Sequence, residues 1–131
     1  MKTLALVLVA ATAFAVPAVA QQAVTTTTKT YVEAKPTDVL AKSLIGLDIE
    51  NAKEENIGEI QDVLLSRGNV AGYVVSVGGF VGIGEHYVVV SPNALRINYS
   101  ENDKKWTVRM DATKDDVKAA PPFKYEGRWK K

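Results

Sequence analysis

Residues 74–90, VVSVGGFVGIGEHYVVV, constrain the fold of this chain more than any other stretch. Two apolar runs rich in valine, residues 74–77 and 87–90, flank a segment that has four glycines within residues 78–84. Valine is stiff at its first side-chain torsion and packs well on a pleated surface, so both runs predict strands. Glycine accepts positive φ, so the segment between them predicts a loop with a constrained backbone path.

Residues 44–65 predict two more strands. Residues 44–50 alternate apolar and polar side chains towards their end, which is typical of a half-buried strand. In residues 57–65 the apolar positions fit a helical period better than alternation. A glycine and the short length nevertheless favour a strand, and a β-bulge would explain the phase slip. Residues 66–69 predict a tight turn with positive φ at Gly68 and Asn69.

The remaining elements are short. Thr37 or Asp38 could cap a helical turn over residues 39–41. The pattern further predicts a strand over residues 85–90, a helical turn over 92–95 with Ser91 as N-cap, a hairpin of 96–99 and 106–110, and a helix over 113–120 with Thr113 as N-cap. Many short strands with little helix favour a small antiparallel barrel or sandwich.

The first residues predict export. Lys2 precedes an uncharged apolar run, residues 4–16, and Ala18-Val19-Ala20 is a small-x-small cleavage site. We therefore expect a signal peptide over residues 1–20, cleaved after Ala20, and a periplasmic protein. Residues 21–42 are polar and Thr-rich and predict a flexible leader. The domain is expected over residues 43–125, followed by a basic and aromatic tail, 126–131. No stretch beyond the signal is expected to span a membrane.

Composition excludes several classes of function. Without Lys2 the formal charge of +1 falls to zero, so the chain lacks the basic footprint of a nucleic-acid-binding protein. The sequence contains no cysteine, which excludes disulfides, a thiolate nucleophile and a thiolate metal site. We expect neither a cofactor nor a metal.

Three blocks of the sequence resemble the PRC-barrel domain, and in particular its small exported stand-alone members. They are SLIGLDIENAKEENIGEIQDVLL (43–65), VVSVGGFVGIGEHYVVVSPNAL (74–95) and DATKDDVKAAPPFKY (111–125). The resemblance implies a six-stranded antiparallel barrel that acts through protein or macromolecule contacts rather than chemistry. The fold expected is therefore mainly β, a small antiparallel β-barrel of about six strands with a short C-terminal helix.

The glycine loop does not match a phosphate-binding motif. Residues 79–84 have the pattern G-x-x-G-x-G rather than G-x-G-x-x-G, and a strand rather than a helix follows. A barrel connection with special backbone angles explains the glycines. The apolar side chains Phe80, Val81 and Ile83 either pack into the barrel mouth or form an exposed knob that binds a partner.

Other candidate residues favour structural roles. His86 is the only histidine, and alternation places it opposite in phase to Tyr87 and Val89, on the surface. Glu59 and Asp62 are expected to be solvated carboxylates. In the tail, aromatic residues alternate with basic ones. Phe123 and Tyr125 are expected to lie back over the barrel, whereas Trp129 could bind a partner, and the sequence leaves this open.

The leading hypothesis is a non-enzymatic module that binds a protein or envelope partner. It rests on the absence of a catalytic set, the neutral charge and the resemblance. Phe80, Val81, Ile83 and Trp129 are the candidate partner-binding residues, and the same surfaces could support a homodimer. The alternative is a carrier or sensor that holds a small ligand in the barrel mouth.

Overall fold

The computed structural model describes residues 10–13, 30–78 and 86–131. The chain divides into two units, Met1–Ala34 and Lys35–Lys131. The described residues of the first unit are exposed and form neither helix nor strand. Apart from residues 10–13, the expected signal peptide lies outside the described residues, as do residues 21–29 of the expected leader.

The second unit is built mainly from β-strands. Its described strands are β1 (Asp48–Glu50), β2 (Asn56–Ser66), β3 (Asn69–Val77), β4 (His86–Val90), β5 (Leu95–Ser100), β6 (Lys105–Met110) and β7 (Pro122–Phe123). Its described helices are α1 (Ala41–Leu44) and α2 (Lys114–Ala119), and single 3₁₀ turns cover Pro92–Ala94 and Gly127–Trp129.

The strands form one sheet in the order β5-β6-β1-β2-β3-β4-β7. The prediction of a mainly β fold is confirmed. The expected all-antiparallel sheet of about six strands is wrong, because β1 and β6 pair in parallel, with Ile49 opposite Val108, and β7 adds a strand beyond β4. The other neighbouring pairs are antiparallel. Within residues 30–78 and 86–131, no ladder joins the end strands β5 and β7.

The core lies on one face of this sheet. Ile49, Ile60 and Val75 are completely buried, and α2 contributes the buried Val117. Burying one such side chain stabilises the fold by roughly 1.5–3 kcal/mol relative to its exposed state. The core cluster comprises Leu44, Ile49, Ile57, Ile60, Tyr73, Val75, Val77, Val88, Leu95, Val108, Met110 and Val117.

Strand β2 is the bulged strand that the sequence predicts. Its register against β3 shifts between Ile60 and Asp62 and again between Leu64 and Leu65. Each shift changes which side chains face the core, which explains the helix-like spacing of apolar residues. The turn after β2 is tight, as expected, but the residues with positive φ are Arg67 and Gly68 rather than Gly68 and Asn69.

Strand β4 has the opposite phase from the one expected. Val88 is the buried residue, at 1% exposure, whereas Val89 is 39% exposed. His86 therefore shares the face of Val88, lies opposite the buried Val77 and is half-buried. The prediction of a surface His86 is wrong. The valines that follow His86 are apolar on both faces, so alternation does not determine which face His86 takes.

The segment before β1 also differs from the prediction. Helix α1 begins at Ala41 after Leu40, which makes no side-chain cap, so the expected capped turn over residues 39–41 is wrong. Of the strand expected over 44–50, only β1 is extended in the sheet. Gly46 interrupts it with a φ of 90°, and its N–H donates to the carbonyl of Ile60 at 2.7 Å.

Helix α2 is capped as predicted. Thr113 accepts a hydrogen bond from the backbone N–H of Asp116, and Asp116 accepts one from the backbone N–H of Thr113. These two contacts form a capping box, which satisfies donors at the start of the helix. Hydrogen bonds from the Thr113 hydroxyl and then from its N–H hold the pKa of Asp116 below its ordinary value.

Candidate functional site

The segment after α2 lies against the outer face of the sheet. Strand β7 pairs with β4, placing Phe123 opposite Tyr87. Val74 lies between the core residues Tyr73 and Val75 on β3, so its side chain points to the opposite face of the sheet, away from the core. It is nevertheless only 2% exposed, because the segment after α2 covers it. The chain then turns at Gly127, whose φ is 61°, into the 3₁₀ turn that ends at Trp129.

Four side chains, here called the aromatic cluster, pack on one another at this face: Tyr87, Phe123, Tyr125 and Trp129. The ring of Tyr125 meets those of Tyr87 and Phe123 edge-to-face, each at 5.1 Å between centroids. Trp129 lies 5.4 Å from Phe123. Edge-to-face pairs at such distances stabilise by about 0.5–1.5 kcal/mol beyond the area that they bury. The cluster is thus a fixed surface rather than a loose tail.

A pocket of ≈ 150 Å³, here called the aromatic pocket, lies beside the cluster. Strands β2 and β3 provide one wall, and β7 with the segment that follows it provides the other. The lining residues are Asp62, Val63, Leu64, Val74, Phe123, Tyr125, Trp129 and Lys131. The expectation that Asp62 is a simply solvated carboxylate is wrong, since it is half-buried at this wall.

Charged side chains lie beside aromatic rings in this pocket. The Nζ of Lys131 lies 4.3 Å from the centroid of the Tyr125 ring, within the range of a cation–π interaction. The Tyr125 hydroxyl is buried, and the described residues offer it no hydrogen-bond partner. Burial first, and then the negative charge of Asp62, raise the pKa of Tyr125 above its ordinary value of 10.0.

The raised pKa of Tyr125 predicts a pH dependence at alkaline pH. Because folding favours the neutral phenol, its stabilising contribution is complete below the unfolded-state pKa of about 10 and is lost as pH rises through the higher folded-state pKa. We expect Asp62→Asn to lower the folded-state pKa. The ring-carbon NMR shift of Tyr125 followed against pH measures it, with Tyr125→Phe as the assignment control. An unchanged or higher pKa in Asp62→Asn would contradict the assigned role of the Asp62 charge.

Three larger depressions lie elsewhere on the described residues. A cleft of ≈ 310 Å³ is lined mainly by polar and backbone groups, including Asp48, Glu59 and Lys114. A shallow apolar groove of ≈ 250 Å³ runs between β4 and α2, past Met110 and Val117. Neither contains an aromatic side chain among its lining residues. The third, of ≈ 180 Å³, has one aromatic side chain, Trp106, beside Glu50 and Lys105. The aromatic pocket is smaller than all three, but three aromatic side chains line it together with a carboxylate and an ammonium group.

The His86 side chain is half-buried. Its Nε2 is buried and makes no hydrogen bond to the part of the chain that the structure describes. No cluster of three or more histidine, aspartate or glutamate side chains suited to a metal occurs in residues 10–13, 30–78 and 86–131.

The candidate partner-binding residues fall into two groups. Phe80, Val81 and Ile83 lie outside the described residues. Trp129 belongs to the aromatic cluster and is 57% exposed. Phe123 and Tyr125 lie back over the sheet, as expected. Sequence reasoning missed Asp62 and Lys131 as parts of this site. The alternation of aromatic and basic residues from 123 to 131 pointed to the segment but not to its partners on β2.

A family model described as the PRC-barrel domain matches residues 36–117. The match covers more than half of the 131 residues. The chain belongs to the PRC-barrel family. The resemblance noted from the sequence is thereby confirmed. The PRC-barrel match includes β1–β6 and most of α2 but ends before β7, so Phe123, Tyr125 and Trp129 lie beyond it.

Comparison with curated proteins gave no match. No helix in the described part of this PRC-barrel protein has the length and apolar character needed to cross a membrane.

Proposed function

We propose that this PRC-barrel protein is a non-enzymatic periplasmic module that binds a protein or envelope partner through the surface around Trp129. The observation that carries the proposal is the state of Trp129, which packs on Phe123 at 5.4 Å yet leaves 57% of its surface exposed. Tryptophan is enriched among the residues that dominate binding energy at interfaces. A tryptophan that is already held in place loses little side-chain freedom on binding.

The periplasmic location is supported by the sequence pattern alone. Lys2, the apolar run of residues 4–16 and the small residues before position 21 have the order of a cleaved signal peptide. The non-enzymatic role is supported by the resemblance to a family that acts through contacts. A single histidine and the absence of cysteine also leave few residue types for nucleophilic chemistry.

The packing of the core supports partner binding over the alternative, a carrier with its ligand in the barrel mouth. The core cluster includes Ile49, Ile60 and Val75, and all three side chains are completely buried. Interiors packed in this way hold few voids larger than a water molecule. The surface around Trp129 is therefore the better-supported binding region among the described residues.

Removing the Trp129 side chain is expected to reduce partner capture strongly. The full chain, tagged and expressed with export intact, would be crosslinked in cells and its partners identified by mass spectrometry. We expect a recurrent partner whose recovery falls at least about tenfold in Trp129→Ala, since loss of such a residue costs 2 kcal/mol or more.

A matched control is Tyr99→Ala. Tyr99 is also an exposed aromatic residue, at 43%, and packs on Trp106 in the β5–β6 hairpin. The partner should persist in this variant. A partner recovered equally with Trp129→Ala but lost with Phe80→Ser and Ile83→Ser would transfer the binding role to the glycine loop. Absence of any recurrent partner would contradict the proposal.

A further inference from the structure

The lining of the aromatic pocket matches an amphipathic cation. Val63, Leu64 and Val74 provide an aliphatic wall, and the aromatic rings provide faces of negative potential. Asp62 adds one carboxylate. A lysine side chain has the complementary structure, an apolar stem of four methylene groups and a compact positive head.

The chain itself already places a lysine at this site. Lys131 lines the pocket, and its Nζ lies 4.3 Å from the centre of the Tyr125 ring. A volume of ≈ 150 Å³ remains beside it. An engineered protein cavity of about 150 Å³ binds benzene, so this space suffices for a side chain of several carbon atoms. The pocket therefore holds a lysine ammonium and has room for another side chain.

We propose that the aromatic pocket is a lysine-recognition site, at which a lysine side chain of a partner protein displaces Lys131 from the face of Tyr125. The inference rests on the proposed function, because it names the group that the partner inserts beside Trp129. Lys131 acts in the unbound protein as an intramolecular competitor. Its ammonium group occupies the face of the Tyr125 ring, in the pocket that Asp62 also lines, until a lysine of the partner replaces it.

A lipid amine is the alternative occupant, and the pocket fits it less well. An ethanolamine headgroup has two methylene groups next to a phosphate, so it presents little apolar stem to Val63, Leu64 and Val74. Its phosphate would also enter a pocket that contains the Asp62 carboxylate. An amine on a four-carbon stem uses both the aliphatic wall and the charged end.

The test uses a small lysine probe and the full chain. Nα-acetyl-lysine methylamide would be titrated while the indole N–H of Trp129 and the ring of Tyr125 are followed by NMR. The neutral comparison is Nα-acetyl-norleucine methylamide, which has the same stem without the ammonium. We expect saturable shifts with the lysine probe only. Equal shifts with both probes would overturn the proposal, because the pocket would then select apolar surface alone.

The competitor role is tested with a matched pair of variants. Lys131→Met and Lys130→Met each remove one positive charge from the same segment, but only Lys131 lies over the Tyr125 ring. We expect Lys131→Met to bind the lysine probe about two- to fivefold more tightly than Lys130→Met does, which corresponds to the loss of one exposed cation–π contact. Equal affinities would overturn the competitor role.

A conservative variant tests the carboxylate. Asp62→Asn keeps the oxygen that accepts a hydrogen bond from the N–H of Val63 at 2.9 Å and removes the charge. It should weaken binding of the lysine probe and leave the norleucine comparison unchanged. Vesicles containing phosphatidylethanolamine that shift the Trp129 signal, with no response to the lysine probe, would overturn the proposal in favour of a lipid amine.

The outcomes separate this inference from the proposed function. A cellular partner that depends on Trp129, together with no binding of the lysine probe, would retain the proposed function and reject lysine recognition. Selective binding of the lysine probe without any cellular partner would retain the selectivity of the pocket and reject the proposed function.

Discussion

The Ile49→Ala variant is expected to have a free energy of unfolding about 2–5 kcal/mol lower than that of the wild-type protein. Ile49 is completely buried on β1, which pairs with β2 on one side and β6 on the other. Truncation there removes apolar contacts and leaves a cavity that the two flanking strands restrict from collapsing. Urea denaturation followed by circular dichroism measures the change through the midpoint at constant slope.

A graded series controls for failure to fold. Domains of this size have total free energies of unfolding of about 5–15 kcal/mol, so the largest expected loss equals the total stability of a domain at the low end of that range. Ile49→Val removes one methyl group and should cost about 0.5–1.5 kcal/mol. Leu65→Ala, at a position that is 64% exposed, should change stability by no more than about 0.5 kcal/mol. If Ile49→Ala behaved like Leu65→Ala, the assigned core would be contradicted.

The Gly58→Ala variant is expected to be destabilised by about 1–3 kcal/mol. A β-carbon built on Gly58 would lie 2.6 Å from Cγ1 of Val75 and 2.9 Å from the carbonyl oxygen of Ser76. These contacts are too close, and the backbone oxygen belongs to the neighbouring strand β3, which cannot move aside without disturbing its ladder. Thermal unfolding compared with wild type measures the loss.

A double-mutant cycle identifies the clash. Val75→Ala removes the nearer of the two clashing atoms, so Gly58→Ala should cost less in a Val75→Ala background than in the wild type. Additive effects of the two substitutions would show that the Val75 side chain is not what excludes a β-carbon at position 58.

Local patterns in the sequence predicted the local elements. The bulged strand β2, the β5–β6 hairpin and the capped helix α2 each follow from turn chemistry, spacing and capping within a few residues. The phase of β4 did not follow, because its consecutive valines fit either face. The parallel pairing of β1 with β6 could not be inferred, since Ile49 and Val108 come from opposite ends of the domain and nothing local marks them as partners.

The candidate site could be predicted only in part for a related reason. Trp129 was recognised because aromatic and basic residues alternate around it. The pocket, however, combines that segment with side chains of β2 and β3, among them Asp62 and Val74. Those residues meet only after the segment folds back across the outer face, a contact that depends on tertiary structure. The apolar residues of the glycine loop remain a prediction.

The parallel ladder between β1 and β6 has a consequence for the order of folding. Its partners Ile49 and Val108 enclose a loop of roughly 60 residues, and closing a long loop costs more conformational entropy than forming a hairpin. The β2–β3 and β5–β6 hairpins can therefore form before the ladder joins them. During synthesis, β1 emerges well before β6, so one edge of β1 stays unpaired in the nascent chain. Until the β5–β6 hairpin has formed and pairs with it, that edge can pair with a strand of another chain.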